Sequence, residues 1–264
     1  MKRSSRARIG ATATVSVLSL ALVTGCGGGS DDADTAEDPG TSSSPTTAAK
    51  TLSTAELEKL IIAKADVDGY DVDSADSTDE FAASKDQVTV EDAACEPIAY
   101  VLTGFAPGDE SAYVKRMASP AAEEITAAET EDPAGALEDA LGATITFVSL
   151  SSHEGDGAAK TMTAVTDAVK GCAGGFTVSA KGQDTQKFTK VTEEKSTAAT
   201  GESVAFAVNG AVDGGGEATV HAQVVRHGST VATYYSLSLA ALGGKETKFS
   251  VPAEIVTAQA ARLK

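Results

Sequence analysis

Cys26 divides this chain into a leader and a part that can fold. Lys2, Arg3, Arg6 and Arg8 open the sequence with positive charge and no acid, and an apolar run extends from Ile9 to Val23. Fifteen residues in a helix reach about 22 Å, short of the ~30 Å hydrocarbon core of a bilayer. The run therefore has the proportions of a secretory h-region and not of a membrane span. Residues 1–25 are expected to be removed, and the remaining chain is expected to fold outside the cytoplasm, where thiols oxidise.

The run ends in Val23-Thr24-Gly25-Cys26. Small residues before a cysteine suit the narrow groove of a processing enzyme, and the thiol is the nucleophile that takes up diacylglyceryl. The pattern resembles the bacterial lipobox, with an ordinary leader followed by a chance cysteine as the alternative. The resemblance implies a lipoprotein on the outer face of the cytoplasmic membrane, whose anchor carries palmitate-like acyl chains. A single acyl chain binds only marginally, whereas two hold stably.

The leader carries four of the 21 basic residues and none of the 38 acidic ones, so its loss deepens the net charge from −17 to −21. Such a surface repels nucleic acid and anionic headgroups. The membrane is thus a partner through the lipid alone, and nucleic acid is excluded. Residues 26–51 are expected to be a disordered tether. Gly, Asp, Ser, Thr and Pro dominate it, and it buries too little apolar surface to repay ordering. As flexible coil it reaches roughly 25–30 Å. A plain spacer or a glycosylated Ser/Thr stalk both fit its composition.

Residues 52–264 are expected to form a single domain, since no second linker or internal repeat interrupts them. Ser53 and Glu56 have capping-box spacing before Leu57, Leu60 and Ile61, predicting a helix. The acidic stretch Asp66 to Asp73 lacks the glycine and glutamate of a calcium loop and reads as a solvated loop. Val88–Val90 and Tyr113–Met117 read as strands, Pro97–Leu102 as a helix, and 120–141 as helical with a break at Pro133. Ile145–Leu150 is apolar on both faces and belongs inside a sheet. Gly157–Gly171 carries the stripe Met162, Val165, Val169, which continues to Cys172. Three alternating runs come next, around Val204–Val208, Val220–Val224 and Val231–Leu239, separated by Gly-rich turns. They predict a C-terminal three-strand antiparallel meander with one face buried. A helix over 252–264 closes the chain, Pro252 favouring its first turn. The class is α+β: a largely antiparallel sheet packed by helices.

With Cys26 lipidated, Cys95 and Cys172 remain as an even pair in an oxidising compartment. A bridge between them closes 77 residues and is worth about 4–5 kcal/mol in the chain-entropy model. Two buried free thiols are the alternative.

The chemistry is sparse. The sequence has no Gly-x-Ser-x-Gly, Ser-x-x-Lys, His-Glu-x-x-His or phosphate loop. His221 and His227, six residues apart on one strand and its turn, stand about 20 Å apart, too far to share a metal. His153 beside Glu154 reads as a solvated loop histidine. No catalytic residue, metal ligand or cofactor is expected.

The domain resembles the extracellular sensor domain of actinobacterial receptor-type serine/threonine kinases, which also occurs on free-standing lipoproteins. The features that carry the resemblance are the Leu52-Ser53-x-Ala55-Glu56-Leu57 helix, Ala94-Cys95 before a short helix, the unit ending in Cys172, and Arg226-x-Gly228-x-x-Val231 in the meander. The family's second disulfide and its tryptophan have no counterpart here. The resemblance implies a non-catalytic module with a groove over its sheet, binding a small ligand or an envelope protein. A carrier of lipid is the alternative function, and an unrecognised wall hydrolase a third. His221, Gln223 and Tyr234 are candidate ligand-binding residues if helices leave their face open; otherwise they simply face solvent.

Overall fold

In the computed structural model, residues 50–75, 81–121, 143–198, 200–212, 216–242 and 248–264 are described. The leader, the lipobox residues Val23, Thr24, Gly25 and Cys26, most of the tether, and nearly all of the helix expected over 120–141 lie outside them. The folded unit spans Thr47–Lys264.

Among the described residues, nine strands form one antiparallel sheet: β1 (Tyr70–Ser74), β2 (Val88–Val90), β3 (Ala112–Pro120), β4 (Thr144–Ser152), β5 (Phe176–Ala180), β6 (Gln186–Glu194), β7 (Glu202–Val212), β8 (Gly216–His227) and β9 (Thr230–Ser238). Their order is β1-β3-β4-β9-β8-β7-β6-β5-β2. Among the described residues the α-helices are α1 (Thr54–Leu60), α2 (Glu96–Leu102), α3 (Gly157–Gly171), the single turn α4 (Leu239–Leu242) and α5 (Ala253–Arg262). The α+β class, the meander β7-β8-β9 and the interior place of β4 are as the residue pattern requires.

Both faces of the sheet are covered, which corrects the expectation of one buried face. On the front, α2 and α3 lay Ile98, Val101, Met162, Val165 and Val169 on Phe206, Val208, Ala222 and Val224. On the back, α1 and α5 lay Leu57, Ile61, Ile255 and Val256 on Val114, Val148, Leu150, Val225 and Tyr234. β4 feeds the back through Val148 and Leu150. The meander serves both sides, and this is why its strands are apolar at both parities.

The disulfide joins Cys95, at the start of α2, to Cys172, at the end of α3, with Cα atoms 6.0 Å apart. It ties the two front helices together. Beyond it the chain doubles back at Gly175, whose φ is +89° and where a Cβ would meet the Phe188 carbonyl at 2.2 Å. Only glycine fits there. The close approach lies beside the irregularity between Phe188 and Lys190, where β6 departs from regular pairing with β7.

Two local expectations change. The acidic stretch is not a loop throughout: Tyr70–Ser74 pairs with β3, from Tyr70 opposite Pro120 to Ser74 opposite Arg116. Tyr70 and Val72 pack on the back core, and Asp71 pairs with Lys64. His153 is not solvated. Its N–H donates to the Ser229 carbonyl at 2.9 Å, continuing the β4–β9 pairing one step past the strand and drawing the ring inside.

Candidate binding surface

The antiparallel register sets the front face in rows. One row runs Met117, Phe147, Tyr235, Ala222, Phe206 across β3, β4, β9, β8 and β7. The next row toward the Ser152 end runs Lys115, Ser149, Thr233, Val224, Val204. Under α2 and α3 these rows are core. Toward β3 and β4 the cover thins, and Met117, Ile145, Phe147, Tyr235 and Leu237 are half-buried. Ile145 stands directly opposite Leu237. Phe147 and Tyr235 stack with ring centroids 4.7 Å apart and planes 5° from parallel. Of the five, only Tyr235 packs against the front core. They form an aromatic and aliphatic platform at one end of β3, β4 and β9.

The platform has a polar inner margin. Val101, Gly104, Lys115, Ser149 and Thr233 surround a dent of about 10 Å³, room for about one water. The Thr233 hydroxyl is buried without a hydrogen-bond partner. Lys115 lies 5.9 Å from the centre of the Phe105 ring.

A larger cavity of about 260 Å³ lies between the end of α3 and the β6–β7 ends, lined by Lys170, Glu193, Glu194, Ser196, Glu202 and Ser203 among others. Glu194 accepts from His221 Nδ1 at 2.9 Å, and Glu202 pairs with Arg226 at 2.6 Å. Among the described residues, no group of three His, Cys, Asp or Glu is placed to hold a metal ion.

The three residues proposed from sequence share the back face. Gln223 stands directly opposite Tyr234, and His221 opposite Ser236. The structure brings them together but does not open them. Gln223 is buried, accepting from the Thr197 N–H at 2.7 Å and donating to the Thr197 carbonyl at 2.9 Å. Tyr234 is fully buried, its hydroxyl has no partner, and burial pushes its pKa far up. His221 is half-buried, edge-on to Phe249 at 4.6 Å. Sequence reasoning took Tyr235 and Leu237 as part of a core stripe and did not single out Phe147. The signal for them was Ile145–Leu150, apolar on both faces yet third from the end of its side of the sheet.

Ser151 Oγ lies 2.9 Å from His153 Nε2, the geometry of a nucleophile and its base. Both residues are buried, and the other ring nitrogen meets a backbone carbonyl, that of Asp109, at 2.8 Å. No substrate reaches a hydroxyl so enclosed.

No family model and no curated relative matches the chain. A solved structure does. The chain is similar to the extracellular domain of PknH from Mycobacterium tuberculosis. The likeness covers 81% of this chain and 95% of that one, with 14% identity and a TM-score of 0.45. No helix among the described residues is long and apolar enough to cross a membrane.

Proposed function

We propose that this chain is a lipid-anchored extracytoplasmic module that binds or senses a ligand without transforming it. The observation that carries this reading is the placement of the platform. The described chain enters the domain at Lys50–Leu52, where the Leu52 N–H donates to Ser152 Oγ at 2.7 Å and Ser229 Oγ donates to the Lys50 carbonyl at 2.6 Å. That is the Ser152 end of β4. The platform lies at the other end, and Phe147 is five strand residues away, about 17 Å. The half-buried Phe147, Tyr235 and Leu237 are therefore clear of the point where the chain enters the domain. The fitting ligand has a flat apolar face with a polar edge, for Ser149, Thr233 and Lys115 to meet. An acyl-chain carrier is the weaker reading, because Lys170, Glu193, Glu194 and Glu202 put charge on the lining of the larger cavity.

Two measurements test the reading. Cys26→Ala should leave the protein as unprocessed precursor or release it from membranes; maturation and membrane partition like wild type would end the anchor. Native mass spectrometry of protein taken from its own membrane should show no stoichiometric lipid beyond the anchor. A bound lipid would establish the carrier instead.

A further inference from the structure

The cavity between the end of α3 and the ends of β6 and β7 lies apart from the platform and has a chemistry of its own. Its volume is about 260 Å³, a little under the ~300 Å³ at which pockets for drug-sized molecules begin. A molecule the size of an amino acid or a dipeptide suits it. Two walls form it. The last turns of α3 supply Thr166 and Lys170, and the facing ends of β6 and β7 supply Glu193, Glu202 and Ser203. Strand register puts the two glutamates on the α3 side of the sheet. Glu193 stands opposite Phe206, which belongs to the front core beneath α3. Glu202 is two residues before Val204, which packs against that same core, so alternation gives it the same face.

The charges around the cavity are sorted. Glu202 is paired with Arg226 at 2.6 Å and Glu194 accepts from His221 at 2.9 Å, so side chains outside the lining hold both carboxylates. Glu193 and Lys170 line the same cavity, yet among the described residues neither has an ion-pair partner. A negative and a positive charge thus stand unanswered on opposite walls. Ser203 Oγ donates to Ser196 Oγ at 2.9 Å and Thr166 Oγ1 donates to the Met162 carbonyl at 2.8 Å. Both hydroxyl oxygens keep lone pairs to accept from a ligand. The walls are already fixed. Cys172, two residues past Lys170, is bonded to Cys95. The Val191 N–H donates to the Ala173 carbonyl at 3.3 Å, tying the turn after α3 to β6. A ligand entering here pays little to order the backbone around it.

We propose that this cavity is a second binding site, for a small zwitterion of the amino-acid or dipeptide class. Its ammonium pairs with Glu193 and its carboxylate with Lys170, and hydroxyl oxygens of the lining accept the remaining ammonium protons. The two unanswered charges select this class. A neutral sugar or an acyl chain answers neither of them, and a metal ion or a polyamine answers only the glutamate. Among the described residues no group of three His, Cys, Asp or Glu is placed for a metal in any case. The chain's net charge of −17 repels free anions, whereas a zwitterion brings its carboxylate in without net charge. The site goes beyond the platform and does not depend on it.

Isothermal titration of the full-length, detergent-solubilised chain tests the site. The probes are alanine, glutamine and alanyl-alanine, and the one that binds is then capped as its N-acetyl form, which lacks the ammonium, and as its amide, which lacks the carboxylate. At least one uncapped probe should bind with a Kd below about 10 mM, and each cap should weaken it about tenfold. Glu193→Gln should weaken the uncapped probe by a similar factor and leave the N-acetyl form unchanged. Lys170→Gln should weaken the uncapped probe and leave the amide unchanged. Both side chains are exposed, so neither substitution threatens the fold. Phe147→Ser should bind the probe like wild type, which separates this site from the platform. No binding by any of the three probes, capped forms that bind as tightly as the free one, or binding indifferent to Glu193→Gln and Lys170→Gln overturns the site. Loss of binding in Phe147→Ser would put the probe on the platform and overturn it as well.

Discussion

The two faces of the sheet carry similar apolar cores but hold their helices by different means. On the front, α2 and α3 come from the middle of the chain and are joined covalently through Cys95 and Cys172. On the back, α1 and α5 come from opposite ends of the described chain and are joined by side-chain clamps. Gln259, fully buried on α5, accepts from the Ile62 N–H at 2.9 Å and donates to the Leu60 carbonyl at 2.8 Å. Arg262 adds bonds to the Leu60 and Lys59 carbonyls and pairs with Asp66 at 2.9 Å. Tyr70 donates to Glu254 at 2.8 Å. Each device suits its place. A bridge over 77 residues constrains the unfolded chain strongly. A side-chain amide instead supplies the partners that the end of a short helix lacks, wherever in the sequence its own helix lies.

Breaking the front staple should have the largest effect. Cys95→Ala with Cys172→Ala is expected to lower unfolding stability by about 4–5 kcal/mol, read by urea denaturation of the oxidised protein against the double variant. A loss below about 1 kcal/mol would mean that packing alone holds α2 and α3. Breaking the back clamp should cost less. Gln259→Ala leaves the buried Ile62 N–H without its partner, a loss of about 1–3 kcal/mol, while Arg262 still reaches the Leu60 carbonyl. It should also speed hydrogen exchange at Ile62 while leaving the amides of α3 protected, and equal loosening of both faces would show that the two clamps are not separate. The smallest effect is expected at the centre of the back core. Tyr234→Phe removes a buried hydroxyl that has no partner, so stability should change by less than about 1 kcal/mol, in either direction. A clear loss would reveal a partner for that hydroxyl, such as an enclosed water.

Much of this was legible in the residues. Period-two alternation located β7, β8 and β9, and the stripe of Met162, Val165 and Val169 located α3 to the residue. Counting cysteines gave the bridge. The capping pair Ser53–Glu56 is present, with Glu56 accepting from the Ser53 N–H at 2.9 Å. β6 went unread because Gln, Lys and Thr dilute its apolar positions and the irregularity between Phe188 and Lys190 breaks the alternation; β5 alternates cleanly but is only five residues long. The surface was less legible than the fold. His221, Gln223 and Tyr234 have the right parity to share a face, but which helices cover that face depends on contacts between the chain's two ends. His153 looked exposed because glycines and acids come after it. Its burial comes from Ser229 and Asp109, remote in sequence.

The decisive measurement is a thermal-shift screen of envelope fragments, namely wall glycopeptides, glycans and lipids, on the wild-type domain and on Phe147→Ser. Binding to the folded state raises stability by about 2.7 kcal/mol at a hundredfold excess over Kd. If the platform is a binding site, at least one fragment class raises the Tm of wild type, is recovered chemically unchanged, and fails to shift Phe147→Ser. Turnover of a fragment, stabilisation by lipids alone, or a shift that survives the loss of Phe147 would contradict a binding module built on this platform.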